Sequence, residues 1–504
     1  MARTLMIQGT ASSVGKSVLV TALCRIFRQD GFRVAPFKAQ NMALNSFVTT
    51  EGGEIGRAQA AQAAAAGIEP SVHMNPVLLK PEAEARSQVI VLGKVAGNLT
   101  AGQYYDYTPY LLGVIESSLA RLRAACDIVV IEGAGSPAEI NLKEREIVNM
   151  RVARLAAAPV FLAGDIDRGG VFASLVGTLE LLTAEERDLV KGFVINKFRG
   201  DPALLKPGLE LLEQRTGKPV LGVVPYRRDI NIAQEDSVYL EERTDRPGGG
   251  ITVAVVRLPH IANYDDFDPL EAGGSRVRFV AEPAGLAGAD LIILPGTKST
   301  IADLAFLRRQ GLAEAITQRA RAGTPVIGVC GGYQMLGKTI SDPYRVESQQ
   351  GTVPGLGLLD VETTFVPEKT TVQVKARVVA GRGWFEGLRD LGVTGYEIHA
   401  GQTRNGGDPP VFEVVPTPSG ATYFDGAVGE SGLIFGSYLH GLFHNAAFTR
   451  ALLERLRLAG GLPALPAVAA NQDEQYDALA DMVRQSLDMR RVYRTVLGRD
   501  YGKG

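Results

Sequence analysis

Residues 326–337 read Val-Ile-Gly-Val-Cys-Gly-Gly-Tyr-Gln-Met-Leu-Gly. An apolar strand, a glycine-flanked turn and a helix in that order project a nucleophile from a tight, strained corner. Cys330 at this corner stands at a helix N-terminus, where a thiolate is favoured. The N–H of Gly331 is then a natural oxyanion donor, and Thr297 in Pro295-Gly296-Thr297-Lys298 is expected to contribute a second. A thiol nucleophile needs a base. His440, in Gly436-Ser437-Tyr438-Leu439-His440-Gly441, lies just past another strand-like run and is preferred over His399 and His444. This set of residues implies acyl transfer through a thioester.

A second constellation sits at the other end of the chain. Gly9-Thr10-Ala11-Ser12-Ser13-Val14-Gly15-Lys16-Ser17 follows an apolar run and precedes the helical pattern Val18–Phe27. A phosphate loop needs that context: glycines let backbone N–H groups close on phosphate oxygens, and the helix N-terminus adds a favourable dipole. Thr10, Gly15, Lys16 and Ser17 are the expected nucleotide-binding residues, with Lys16 on the β- and γ-phosphates and Ser17 on Mg²⁺. The spacing is one residue off the plain GxxxxGK[ST] form. Glu132 ends the apolar run Ile128–Ile131 and is the expected carboxylate partner of the metal, the alternative being an ordinary solvated strand end. Asp165 and Asp167 end the next run and face the same crevice. Asn196 ends another; it contacts the nucleotide base or belongs to an ordinary turn.

Positioning two such sites takes two sheets. Leu5–Ile7, Arg33–Phe37, Ile128–Ile131, Val160–Ala163, Phe193–Ile195 and Val220–Val224 are mostly apolar throughout and alternate with helical patterns. Such runs suit parallel strands covered on both faces in an α/β fold. The polar stretch ending Arg246-Pro247-Gly248-Gly249-Gly250 reads as a linker, and a second α/β series begins at Ile251. The expected units are 1–235, a linker 236–250, 251–445 and a helical tail 446–504. Antiparallel strands are expected between Thr363 and Gly432.

Composition adds exclusions. With 504 residues, 45% hydrophobic and 21% charged, the chain is globular and too long for one core. A formal net charge of -2 argues against non-specific nucleic-acid binding. Three scattered cysteines form no disulfide framework and no zinc pair. Cys24 and Cys126 read as packing residues. Neither a secretory leader nor a membrane span is visible, so a cytoplasmic enzyme is expected. The oligomeric state is not legible.

The phosphate-loop spacing resembles dethiobiotin synthetase and its relatives, which phosphorylate a carboxylate or carbamate with ATP; this resemblance implies Glu54 as a further Mg²⁺ ligand. The PGT loop, the GVCGGYQ elbow and the late histidine resemble the flavodoxin-like class I glutamine amidotransferases. There is one departure: the glutamate expected two residues after the histidine is Leu442. That places the second half nearer the cobyrinate-amidating branch and leaves the group orienting His440 open. Longer stretches resemble the cobyric acid synthases essentially end to end. They include Pro36-Phe37-Lys38-Ala39-Gln40-Asn41-Met42-Ala43-Leu44-Asn45-Ser46, Gly53–Gln59, Asn75–Pro81, Leu258–Phe267 and Tyr476–Asp481. The resemblance implies ATP- and glutamine-dependent amidation of the b, d, e and g carboxylates of a corrinoid a,c-diamide. ATP with Mg²⁺ and glutamine as ammonia donor follow from it. A polycarboxylate needs amide and cationic donors; Gln40, Asn41, Asn45, Arg57 and Arg168 are the candidates, together with Lys80 and Arg86. The competing readings are a cobyrinic acid a,c-diamide synthase and, in another class, a partitioning-type P-loop switch ATPase.

Overall fold

The computed structural model describes residues 2–82, 86–227, 250–418, 420–464 and 472–501. The expected linker 236–250 lies outside the described residues except for Gly250. The first sheet has six parallel strands in the order Val220–Pro225, Val190–Phe198, Val160–Asp165, Arg3–Gly9, Ile128–Glu132 and Val34–Phe37. The Ile128–Glu132 and Val160–Asp165 strands are buried along their whole length, as strands covered by helices on both faces must be. The phosphate loop leaves the Arg3–Gly9 strand between these two. Chain order reverses there, and that opens a crevice at the carboxyl ends of the strands.

The chain between Phe37 and Ile128 forms two smaller sheets. One pairs Gln40–Met42, Val77–Pro81, Arg86–Val91 and Lys94–Thr100; the other is the hairpin Ser46–Val48 with Glu54–Gly56. The alanine-rich helix Arg57–Ala66 follows the hairpin and is buried nearly all round. Alanine makes this possible: it has high helix propensity and no bulk to hold neighbours away.

The second half carries another sheet, ordered Arg276–Val280, Thr252–Val256, Leu291–Leu294, Val326–Val329, Ile434–Ser437 and Ala427–Val428. All are parallel except the last. The long strands Val361–Val378 and Gly392–Asn405 pair antiparallel and extend a third sheet with Phe412–Thr417, where antiparallel strands were expected.

The C-terminal helices divide between the halves. Helix Ala446–Ala459 buries Phe448, Leu452, Leu453 and Leu456 in the core of the second half. Helices Gln472–Ser486 and Met489–Leu497 return to the first half, burying Leu479, Val483 and Val492 with Leu19, Leu23 and Phe27 of the helix that follows the phosphate loop. Arg25 pairs with Asp473 and Asp477, and Arg484 with Asp30. Among the described residues, no helix is long and apolar enough to cross a membrane.

Candidate active site

Cys330 occupies the corner between the Val326–Val329 strand and the Gly331–Leu336 helix with φ 50° and ψ -107°. A non-glycine residue at positive φ is strained, and such strain is held only where the surroundings enforce it. Here they do. A Cβ at Gly332 would meet the Leu294 carbonyl oxygen at 2.0 Å, and one at Gly328 would meet the Tyr333 N at 2.7 Å. Only glycines let the helix start this close to the neighbouring strand.

A Cβ built on Gly331 would lie 3.2 Å from the Thr297 N. The main chain of Thr297 therefore sits against the elbow, as a two-donor oxyanion site requires. Its Cγ2 lies nearer still, at 2.6 Å, while its hydroxyl reaches Asp303 Oδ2 at 2.5 Å.

His440 is 3% exposed. Its Nδ1 lies 2.7 Å from Asp266 Oδ2, and Asp266 Oδ1 accepts the Gly441 N–H at 2.8 Å. The Cys330 thiol lines the same cavity as the imidazole and donates to Ile398 O at 3.5 Å. Burial pushes His440 down, but Asp266 and Cys330 outweigh it and hold the imidazole up to about 10. Asp266 thus fills the orienting position for which Leu442 offers no carboxylate. Asp266 stands in the Leu258–Phe267 stretch, where sequence reasoning gave it no role. One signal points to it: the stretch follows a strand of the same parallel sheet that delivers Cys330 and His440. Of the lesser histidines, His399 is bound to Gly401 O at 2.7 Å and stacked on Tyr438, and burial pushes His444 down. Burial also drives the Cys24 thiol far up, and raises Cys126, so both are poor nucleophiles.

Cys330 and His440 open onto a cavity of about 420 Å³ whose far wall belongs to the first half: Ser46, Glu54, Lys80, Gln88 and Lys94. Glu54 was expected among the metal ligands. Instead its carboxylate pairs with Lys80 and with Lys369 of the second half, at 2.6 Å for the latter. Burial pushes the Glu54 carboxyl up, but Lys369 and Lys80 outweigh it and leave it well below the usual range. Burial lowers Lys80 to about 8 despite Glu54 beside it.

At the phosphate loop, Lys16 Nζ reaches Ala11 O at 2.9 Å and Gly135 O at 3.1 Å. It spans the loop mouth where phosphate oxygens would replace these carbonyls. Ser17 Oγ donates to Glu132 Oε1 at 2.9 Å, and Lys38 Nζ and Gln62 Nε2 also donate to that carboxylate, at 2.9 and 2.5 Å. Glu132 is 1% exposed; burial pushes it up, yet Lys38, Gln62 and Ser17 hold it ionised. A hydroxyl beside an ionised carboxylate is a fitting oxygen set for Mg²⁺. Thr10 is fixed by its N–H on Ala163 O at 3.0 Å. Asn196 Nδ2 donates to Val14 O at 2.8 Å, and a Cβ at Gly15 would strike it at 2.1 Å. Asn196 thus braces the loop through its Nδ2.

The candidate substrate residues separate. Arg168 is 57% exposed at the crevice, beside Asp165. The Gln40 amide oxygen accepts the Tyr104 hydroxyl, and Asn41 Nδ2 donates to Gln59 Oε1 at 2.8 Å. Asn45 and Arg57 turn to the other half. Asn45 Oδ1 accepts the Tyr264 N–H at 3.4 Å, and Arg57 Nε lies 2.7 Å from Asp265 Oδ2. They dock the halves together because burial leaves a guanidinium no other means of neutralising its charge.

Comparison with known proteins agrees with this division. Residues 5–238 match the family model described as a CobQ/CobB/MinD/ParA nucleotide-binding domain, and residues 252–448 a CobB/CobQ-like glutamine amidotransferase domain. The chain is 58% identical over 495 residues to the cobyric acid synthase of Dehalococcoides mccartyi strain CBDB1, covering 98% of each chain. It is 56% identical over 506 residues to that of Sorangium cellulosum strain So ce56, covering 97% of each. With a cysteine elbow, a phosphate loop and this extent of identity in one polypeptide, the chain belongs to the cobyric acid synthase family.

Proposed function

We propose that this protein makes cobyric acid by ATP- and glutamine-dependent amidation of the b, d, e and g carboxylates of a cobyrinic acid a,c-diamide. The observation that carries this is the cavity at Cys330, whose far wall is built by the half that holds the phosphate loop. A glutaminase with no second reaction to feed has no need of such a wall.

In this reading the Cys330 sulfur attacks the glutamine amide carbon while His440 carries the thiol proton to the leaving nitrogen. The N–H groups at Gly331 and Thr297 receive the oxyanion. Water then releases glutamate from the thioester. At the other centre, Lys16 holds the ATP phosphates during transfer to a substrate carboxylate, and ammonia displaces phosphate from the acyl phosphate to give the amide. Ser17 and Glu132 would hold Mg²⁺, which supplies charge neutralisation of the phosphates when bound. Arg168 and Gln40 remain at the crevice as substrate contacts.

The test is product mass spectrometry with glutamine, ATP and corrinoid acids. One amide gained per ATP hydrolysed, starting from the a,c-diamide, supports the reading. Amidation of cobyrinic acid at its a and c positions instead would assign the protein to the diamide synthases, and glutamine-independent ATP turnover without amide formation would make it a switch ATPase.

A further inference from the structure

Asp303 is fully buried in the first turn of the Thr300–Arg309 helix, and no step given above uses its carboxylate. A buried carboxylate is costly unless its oxygens are bonded, and these are. Oδ1 lies 2.7 Å from His260 Nδ1. Oδ2 accepts the His260 N–H at 3.2 Å and the Thr297 hydroxyl at 2.5 Å. The hydrogen bond to Asp303 raises the His260 imidazole above its ordinary value, against the pull of burial.

These bonds tie together two loops that leave neighbouring strands. His260 follows the Thr252–Val256 strand and Thr297 the Leu291–Leu294 strand. Around the Ile261–Thr297 bridge, the Ala262 N–H donates to Gly296 O at 2.9 Å and the Lys298 N–H to His260 O at 3.0 Å. When the flanking residues of an antiparallel pair make the bonds, the N–H of the residue between them points away from the partner chain. The Thr297 N–H therefore faces away from the His260 loop, and a Cβ built on Gly331 would lie 3.2 Å from its nitrogen. The Thr297 hydroxyl fixes this orientation from behind. Besides Asp303 it reaches His260 O at 3.0 Å, and it accepts the Ser299 N–H at 3.1 Å.

We propose that Asp303, with His260, is a positioning residue for glutamine hydrolysis: it clamps the loop so that the Thr297 N–H meets the oxyanion formed at Cys330. The proposal rests on the glutaminase half of the function given above. When sulfur bonds to the amide carbon, the carbonyl electron pair moves onto oxygen. A donor helps that step only if it is in place before the charge develops. In bound glutamine the same oxygen carries little charge, so the clamp acts on turnover and hardly on glutamine binding.

The test compares the whole protein with Asp303→Asn and Thr297→Val. The first keeps the outline but turns one accepting oxygen into a donor; the second removes the hydroxyl and keeps the main-chain N–H. Losing an oxyanion donor outright costs about 10²–10³ in turnover. A donor that is loosened but present loses part of that, so kcat for glutamine hydrolysis should fall about thirtyfold with KM within about twofold. Two probes of Cys330 separate positioning from damage. Glutamate γ-semialdehyde takes the sulfur onto its aldehyde carbon; the carbonyl electron pair goes to the oxygen and the thiol proton to His440. Its inhibition constant should weaken by the factor seen in kcat. Iodoacetamide alkylates the same sulfur with loss of iodide and builds no oxyanion. Its rate, read by mass spectrometry of the Cys330 peptide, should stay within about twofold. Unchanged aldehyde inhibition in both variants, or alkylation that slows together with turnover, overturns the clamp. An unsubstituted protein that hydrolyses glutamine but amidates no corrinoid acid overturns the proposed function, while the two probes still decide the clamp.

Discussion

Replacing Asp266 by asparagine separates charge from shape at the cysteine centre. The side chain keeps its outline, but only one of its two terminal atoms can still accept. Asp266 now accepts from both the Gly441 N–H and His440 Nδ1. In the variant the Gly441 N–H, fixed by the backbone, retains the oxygen, and the new NH₂ faces Nδ1. His440 must then carry its proton on the nitrogen that faces Cys330, where it can no longer take the thiol proton. Raising an imidazole from 6.5 to about 10 corresponds to roughly 5 kcal/mol, and Asp266 is the foremost favourable cause. Comparable tautomer errors in other triads cost on the order of 10³–10⁴ in turnover. Asp266→Asn is therefore expected to lower glutamine hydrolysis about a thousandfold while leaving ammonium-dependent amidation within about twofold. Steady-state assays with each nitrogen source measure the split. Glutamine turnover within threefold of the unsubstituted protein would refute the assignment of Asp266 as the group that orients His440.

Three further outcomes follow from the same contacts. A folded-state His440 value above 6.5 makes the protonated imidazole stabilising; that contribution is complete below about pH 6.5 and is lost as pH rises through about 10. The melting-temperature gap between the unsubstituted protein and Asp266→Asn, followed from pH 6 to 10, should therefore narrow with rising pH. Lys16→Met should abolish ATP-dependent amidation from either nitrogen source and leave glutamine hydrolysis measurable, as read by separate glutamate and ADP assays. Asp30→Ala removes the partner of Arg484 and of the Tyr493 hydroxyl. It should destabilise the docked tail by about 3 kcal/mol and speed tryptic cleavage within residues 472–501, while Glu413→Ala, which removes a partner of Arg377 in the second half, should not.

What the sequence discloses about this site depends on how far apart the cooperating residues lie along the chain. The phosphate loop and the cysteine elbow are each contiguous. Glycine placement, a strand before and a helix after encode their local geometry, and the structure shows Gly15 and Gly328 to be positions where a side chain would collide. Asp266 and His440 are 174 residues apart, and nothing local marks one as the partner of the other. Glu54 and Lys369 are 315 residues apart. A carboxylate beside a glycine at a strand end looks the same whether it faces a nucleotide crevice or a lysine of the other half, so the sequence gives no sign that Glu54 pairs with Lys369.

The topology supplies what the local signals lack. In the second half, the segments leaving the carboxyl ends of Thr252–Val256, Leu291–Leu294, Val326–Val329 and Ile434–Ser437 carry Asp266, Thr297, Cys330 and His440 respectively, and these four strands are consecutive neighbours in the sheet. A parallel sheet gathers such segments on one edge whatever their separation in sequence. The carboxylate that orients the histidine therefore need not follow it by two residues; any strand-end segment beside the elbow can deliver it. This explains how the chain keeps a Cys-His-carboxylate geometry with leucine at position 442. It also ties that geometry to the first half, because Asp265, next to the orienting carboxylate, is the residue that Arg57 holds. The helix that begins at Arg57 reaches Glu132 through Gln62. One turn-and-a-half of alanine-rich helix thus separates the side chain that meets Asp265 from the one that meets Glu132.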